Sequence, residues 1–513
     1  MDTSPLITAP AGTFRGLLDR GVRSWRGIRF AVAPTGERRW RDPLVAPDAE
    51  GEVDATAFGP VCPQPTNPAT PLGEGTVQNE DCLSLNVWAP GDDAPPRPVM
   101  VWLHGGAYTF GSSRQPMYDA TTMVDTGDVI VVTVNYRLGA LGFLDLSAAV
   151  PGAGFDGNLA LKDVLLALRW VQRNISAFGG DPARVTVFGE SAGGGLVTTL
   201  LATPSARGLF SRAIAESSPV SSVYGRERAT RVAEQFLDAL GVDAADPAAL
   251  RDAPVDAVVA AGWTVYSAVP VTDPGTLAFA PVVDGDLLPE APITVLREGR
   301  GIPVPLIIGT NKDEASLFSY MKSPLIPITG DRIDKMFADM AEQNPGVELP
   351  SREQVLAAYE HVRHRAVGLG VARDIGFRLP TLWAAEGHAA AAPVWLYRFD
   401  HASPFLRLIG LGATHAAELP YVWGNLVSGP KDPTFRLGGK RVAELISARM
   451  QARWIAFARG DEPSAPDAPA WPAFTTAGAD ARATLVIDRH DQVIADLDGD
   501  LRRAWGDEVL TFR

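Results

Sequence analysis

Ser191 stands in VTVFGESAGGG (Val185–Gly195), where an apolar run breaks into glycines around a single hydroxyl. With 50 glycines in 513 residues the bare pattern G-x-S-x-G recurs by chance, so the surroundings must decide whether the serine does chemistry. Val185–Phe188 predict a strand and Ala192–Leu201 a helix, which puts Ser191 on a strand-to-helix turn between Gly189 and Gly193. Such a turn holds a serine strained and exposed as a nucleophile, and the helix N-terminus behind it carries partial positive charge where an oxyanion forms. Acyl transfer needs further amide donors. The glycine-rich LHGGAYTFGS (Leu103–Ser112), directly after an apolar run, offers the backbone N–H groups of Gly106 and Ala107 beside that of Ala192.

A serine nucleophile of this kind is followed along the chain first by an acid and then by a histidine, which excludes His104 as the base. The run VPLIIGT ends in NKDEAS, so Asp313 and Glu314 both lie at a strand's carboxyl end, and adjacent carboxylates on a turn cannot both face one imidazole. His361, His364 and His388 sit in helical stretches that read as packing or solvent-facing, and His490 lies in a charged segment. His401 and His415 both follow VWLYRF (Val394–Phe399); His415 is favoured because small residues around it, GLGATHAAEL, let a loop enter a site.

These groups need a scaffold. The runs Val99–His104, Val129–Tyr136, Val185–Gly189, Val304–Thr310 and Val394–Phe399 lack polar alternation, as strands covered on both faces do. Helical patterns lie between them, clearest in Leu159–Phe178, and strands alternating with helices imply an open, mostly parallel α/β sheet. Ser222–Glu298 and Ser316–Ala392 do not fit the alternation and are expected to be helical insertions above the strands' carboxyl ends, where such sheets hold ligands. The proline-rich Gly460–Pro472 is expected to be a surface connection before a last strand, TLVID.

The chain carries 46 basic and 60 acidic residues, a formal charge of −14, which disfavours nucleic acid and anionic membrane surfaces as partners. Its first residues, MDTSPLITAPAGTFRG, lack a basic then apolar pattern, and no run approaches a membrane span, so a cytoplasmic location is expected. Two cysteines, Cys62 and Cys82, rule out a disulfide framework and a cysteine-rich metal site, leaving at most one bridge.

The motifs EDCLSLNVWAP, HGGAYTFGS, NYRLGALGFL, FGGDPARVTVFGESAGG, GTNKDEAS and THAAELPYVWG together resemble type-B carboxylesterases, the cholinesterase-like branch of the α/β-hydrolases. The likeness runs from about Gly12 to Trp471 and implies one α/β-hydrolase domain over the whole chain. It implies Ser191 as nucleophile, Glu314 rather than Asp313 as acid, His415 as base, and Gly106, Ala107 and Ala192 as oxyanion hole, with no metal or organic cofactor. It also matches Ser217, in AIAESS, to a serine supporting the acid, and Cys62 with Cys82 to the family's first disulfide. Two positions depart from the family. Asp163-Val164 replaces its Asp-Gln pair, which reads as a packing change, and Pro63–Asp81 between the cysteines holds no aromatic residue, where cholinesterases carry a choline-binding tryptophan. The expected reaction is therefore hydrolysis of neutral carboxylic esters. Amides, carbamates or lactones on the same triad are the alternative, and a non-catalytic binding protein is disfavoured because serine, acid and histidine are all present.

Overall fold

Valine and isoleucine runs with no polar alternation form strands buried on both faces, and Arg97–Leu103, Ile130–Val134 and Leu306–Asn311 at the middle of the main sheet are of this kind. The computed structural model describes residues 4–68, 70–92, 96–326, 329–343, 350–359, 367–427, 432–506 and 509. Its large sheet has eleven strands: β1 (Leu17–Asp19), β2 (Val22–Arg29), β3 (Ser84–Pro90), β4 (Arg97–Leu103), β5 (Ile130–Val134), β6 (Gly180–Glu190), β7 (Arg212–Glu216), β8 (Leu306–Asn311), β9 (Val394–Phe399), β10 (Thr484–Ile487) and β11 (Gln492–Ile494). Their spatial order is β11-β10-β9-β8-β7-β6-β4-β5-β3-β2-β1. The run from β10 to β5 is parallel throughout, and the strands at both edges are antiparallel. This is the α/β-hydrolase fold, in a mixed sheet with a parallel centre.

Alternate residues of β4 feed separate cores. Val99, Val101 and Leu103 join the core on one face, while Met100 and Trp102 join the other, where Trp454 also packs. Helix Leu159–Asn174 covers the first face, helix Lys440–Arg459 the second, and both are largely buried along their inner sides. Within the first, the Asp163 carboxylate pairs bidentately with Arg137, at 2.7 and 2.8 Å, and both groups are buried, so this position holds an ion pair as well as packing.

The two expected insertions are helical. Arg226–Leu240, Pro247–Asp252, Val255–Thr272 and Pro292–Arg297 belong to the first, with a short parallel pair, Tyr224–Gly225 and Val282–Val283, that sequence periodicity did not show. Ala315–Tyr320, Gly330–Gln343, Arg352–Ala357, Val367–Arg373, a π-helical turn Asp374–Arg378 and Leu379–His388 belong to the second. His361 and His364 lie outside the described residues.

One expectation needs correction. Helix Val255–Thr272 has 18 residues and a mean hydropathy of 1.2, so a stretch long and apolar enough to cross a membrane is present after all. In the fold it lies along Arg226–Leu240, burying Val258, Ala261, Val265 and Val269 and exposing the opposite side, which includes Trp263.

Candidate active site

All the parallel strands point their carboxyl ends to one edge of the sheet, and that is where the reactive side chains collect. Strand β6 ends at Glu190, and helix Ala192–Leu201 begins two residues later, so the chain reverses at Ser191. Its backbone pays for the reversal with φ 56° and ψ −123°, a left-handed conformation costly for a non-glycine residue. Ala107, Tyr108, Ser217 and Ala416, all around the same point, also have positive φ. The turn is held by the Ser191 amide donating to Glu216 O on the neighbouring strand at 2.9 Å. Gly193 is required for close approach, since a Cβ there would stand 1.9 Å from Leu103 O.

His415 reaches Ser191 from the loop after β9. Its Nε2 lies 2.8 Å from Ser191 Oγ and its Nδ1 2.6 Å from Glu314 Oε2. The other Glu314 oxygen accepts from Ser217 Oγ and from the Asn311 amide, both at 2.6 Å. Asp313 points elsewhere. It lies in a parallel bridge with Thr414, its amide donating to Ala413 O at 2.9 Å and its Oδ2 accepting from the Ala413 amide at 3.0 Å, so it ties down the loop that carries His415.

Among the described residues, the other histidines lie away from Ser191. His401 faces Asp488 at 3.0 Å, His388 faces Val304 O at 2.9 Å, and His490 is exposed. His104, stacked on Tyr136 with ring centres 4.4 Å apart, is pushed by burial down to about 4 and so stays neutral.

Gly106 sits at φ 118° in a tight turn where its carbonyl accepts from Thr109 and Phe110, and a Cβ would stand 2.3 Å from Phe110 O. Among the described residues, the amides of Gly106, Ala107 and Ala192 donate to no other group of the chain, and all three residues line the cavity beside Ser191. The first amide of a helix has no intrahelical acceptor, which leaves that of Ala192 free for a ligand.

The cavity has an empty volume of about 1190 Å³ with its open mouth included. Its walls are mainly apolar: Leu277, Phe318, Leu325, Ile375 and Phe377 come from the insertions, and Phe110 from the loop after β4. Phe377 and Phe318 lie against the His415 ring at 4.8 and 5.2 Å. From the loop between the cysteines it receives Asn67 and Thr70.

Carboxylates missing from the sequence reading crowd the site. Glu190 Oε1 is 3.2 Å from His415 Nε2, and burial pushes its carboxyl up to about 7 against the opposing pull of the imidazole. Glu216 is pushed by burial up to about 8 while accepting from Trp454 Nε1 at 2.6 Å. Glu418, hydrogen-bonded to Asn311 Nδ2, is pushed well above the usual carboxylate range by burial and by its acidic neighbours. Burial disfavours the charged form of His415, but Glu190 and Glu314 outweigh it and hold the imidazole above its ordinary value. A signal for Glu190 was in plain view, since an acid directly before the serine ends an otherwise apolar run.

Cys62 and Cys82 are both free, buried thiols. The hydrogen bond to Cys62, followed by burial, pushes the Cys82 thiol up, and Cys62 Sγ also accepts from the Leu138 amide at 3.2 Å.

A serine, an imidazole and a carboxylate in line, beside free amides and on an α/β-hydrolase sheet, define the class of serine hydrolases. The chain belongs to the carboxylesterase family, whose sequence profile matches residues 3–499. It is similar to the para-nitrobenzyl esterase of Bacillus subtilis, 36% identical over 98% of each chain. The phenmedipham hydrolase of Pseudarthrobacter oxydans is 34% identical, over 97% of this chain and 98% of that one. The acetylcholinesterase of Bungarus fasciatus is 31% identical over 91% of this chain and 81% of its own length. Among solved structures, a carboxylesterase of Geobacillus stearothermophilus superposes with a TM-score of 0.83 at 36% identity, covering 98% of this chain and 99% of that one. The protein is a serine esterase, a hydrolase of carboxylic esters that works through a triad.

Proposed function

We propose that Ser191, His415 and Glu314 are that triad and that the amides of Gly106, Ala107 and Ala192 are its oxyanion hole. The observation that carries this reading is the unbroken hydrogen-bonded line from Ser191 Oγ through both imidazole nitrogens to Glu314. Ser191 Oγ attacks the acyl carbon while His415 Nε2 takes its proton. Glu314 keeps the other proton on Nδ1 and stabilises the imidazolium, and Ser217 with the Asn311 amide holds Glu314 in place. The three amides receive the tetrahedral oxyanion, the alcohol departs with the proton from His415, and water repeats the attack to release the acid.

Glu190 adds a second carboxylate on the imidazolium. His415 must be neutral to act as base, so a raised value moves the acid limb of kcat/KM to higher pH. Glu190→Gln removes one of the two charges that raise it, and the limb is expected to shift to lower pH. A limb that stayed in place would show that the Glu190 charge does not bear on His415.

Within the ester class, we propose neutral substrates in preference to choline esters. A quaternary ammonium must lose water to enter a gorge, and an aromatic face compensates by about 2 kcal/mol, near thirtyfold in affinity. Here the loop between the cysteines contributes Asn67 and Thr70 instead, which offer no such face. The test compares kcat/KM for butyrylcholine with that for its uncharged isostere, 3,3-dimethylbutyl butyrate, at two ionic strengths. The isostere is expected to be the better substrate; a choline ester favoured by more than about tenfold at both strengths would mean that aromatic faces elsewhere in the gorge hold the cation, and would refute the preference. A cytoplasmic location, proposed on the sequence, would keep Cys62 and Cys82 as thiols, and an oxidising one would let the neighbouring pair close as a bridge.

A further inference from the structure

The wall of the gorge next to His415 is a π-helical turn, Asp374–Arg378, inserted between helices Val367–Arg373 and Leu379–His388. Such turns are rare and re-aim side chains, often at functional sites. Its middle residues, Ile375, Gly376 and Phe377, line the cavity, and the Phe377 ring lies 4.8 Å from that of His415. Its two ends turn away from the cavity, and both are tied to one segment near the C-terminus, the short helix Gly499–Trp505 and the two residues that lead into it, Leu497 and Asp498.

At the first end, Trp505 Nε1 donates to Tyr359 Oη at 3.1 Å, and Tyr359 Oη in turn donates to Asp374 Oδ2. All three side chains are buried, and the Trp505 ring is stacked on Phe337 with centres 5.7 Å apart and planes 11° apart. At the second end, the Arg378 guanidinium pairs with Asp498 Oδ2 at 2.8 Å and donates to Leu497 O at 3.0 Å. Asp498 is anchored in turn to Arg398 of β9, also at 2.8 Å. Asp374 is also paired with Arg373, at 2.6 and 3.0 Å, and a buried chain of this kind fixes geometry more strictly than apolar contact does, because a displaced Trp505 or Tyr359 leaves its own buried N–H or O–H unpaired. The helix also begins where the residues matched by the family profile end, at 499.

We propose that this C-terminal helix is a latch on the gorge wall: through Tyr359–Asp374 and through Arg378 it sets how far Ile375 and Phe377 stand from the reacting serine, and so which ester sizes fit. Trp505, Tyr359 and Asp498 are thus positioning residues for substrate selection. The proposal rests on the cavity beside Ser191 and His415 being the substrate site. Released from the latch, the wall recedes and the pocket admits longer chains.

The experiment measures kcat and KM of the full-length enzyme on para-nitrophenyl acetate and para-nitrophenyl octanoate. Trp505→Phe keeps a ring for the stack on Phe337 but removes the donor together with one ring of the indole, whereas Tyr359→Phe removes the hydroxyl alone. The ratio of kcat/KM for octanoate over acetate is expected to rise about fivefold, carried by KM for octanoate, while kcat on acetate holds. Tyr359→Phe is expected to do the same, and the double variant no more than either single one, because all three break one chain. If the aromatic variants fail to fold, Asp498→Ala removes the carboxylate of the second anchor instead and carries the same expectation. A ratio within about twofold of wild type in the folded variants, even with a lowered melting temperature, would show the helix to be packing alone and overturn the proposal. Because the ratio compares two esters on one variant, it judges the latch whichever residue is the nucleophile; labelling of Ser191 judges the triad separately.

Discussion

Ser191→Ala is expected to abolish ester turnover while leaving the protein folded. The substitution deletes one oxygen whose hydrogen-bond partner in the site is His415 Nε2, and alanine is smaller than the serine it replaces at this half-exposed turn. The elbow itself is held by backbone contacts, the Ser191 amide to Glu216 O and the Gly195 amide to Ser191 O, which survive the change. Turnover is expected to fall by about 10⁴ to 10⁶, since the members of a triad act as a unit and little of their effect remains once the nucleophile is gone. Circular dichroism and the melting temperature check the fold. A folded variant retaining a tenth of wild-type activity would show that another group attacks the ester.

The second large effect separates two adjacent carboxylates. Glu314→Gln is expected to lower kcat by about 10³ to 10⁴, because the amide loses the charge that supports the imidazolium and competes for the tautomer of His415. Glu314 also accepts two further hydrogen bonds, from Ser217 Oγ and the Asn311 amide, and a side-chain NH₂ turned toward either would meet a donor. Asp313→Asn is expected to cost little, since its Oδ2 serves the Ala413 amide and an asparagine oxygen can accept the same bond. Steady-state kinetics on one neutral ester decide the matter. The reverse pattern would mean that the turn aims Asp313 at the imidazole.

These two carboxylates also show how far sequence carries the reading and where it stops. The serine was legible because glycine spacing, a preceding apolar run and a following helix all demand the same turn. The acid was not legible from residue types, because the direction of each side chain depends on the bridge between Asp313 and Thr414, far apart in the sequence and brought together only where the loops after β8 and β9 run side by side. Resemblance to a family chose Glu314 where local chemistry left both open. Between His401 and His415, small residues favoured the second, and the structure shows the first occupied with Asp488.

Other features were invisible for stated reasons. Strand β7, RAIAE, is short and alanine-rich, a composition that strand propensity does not favour, yet it lies at the centre of the sheet between β6 and β8. Strand β6 starts at Gly180, five residues before its apolar run, because Gly180 pairs with Arg97 across the sheet. Glu216 and Glu418 read as ordinary acids in sequence, and only the burial they share with Glu190 shows that their carboxyls are held above the usual range.

The central claim is that Ser191 is the residue that becomes acylated. It is tested most directly by treating the native protein with a fluorophosphonate, measuring the intact mass, and locating the adduct by peptide sequencing. The expected result is one adduct per chain, on Ser191, formed in step with loss of esterase activity and absent from Ser191→Ala. Complete inactivation with the adduct on any other residue, or full labelling of Ser191 with activity retained, would contradict it.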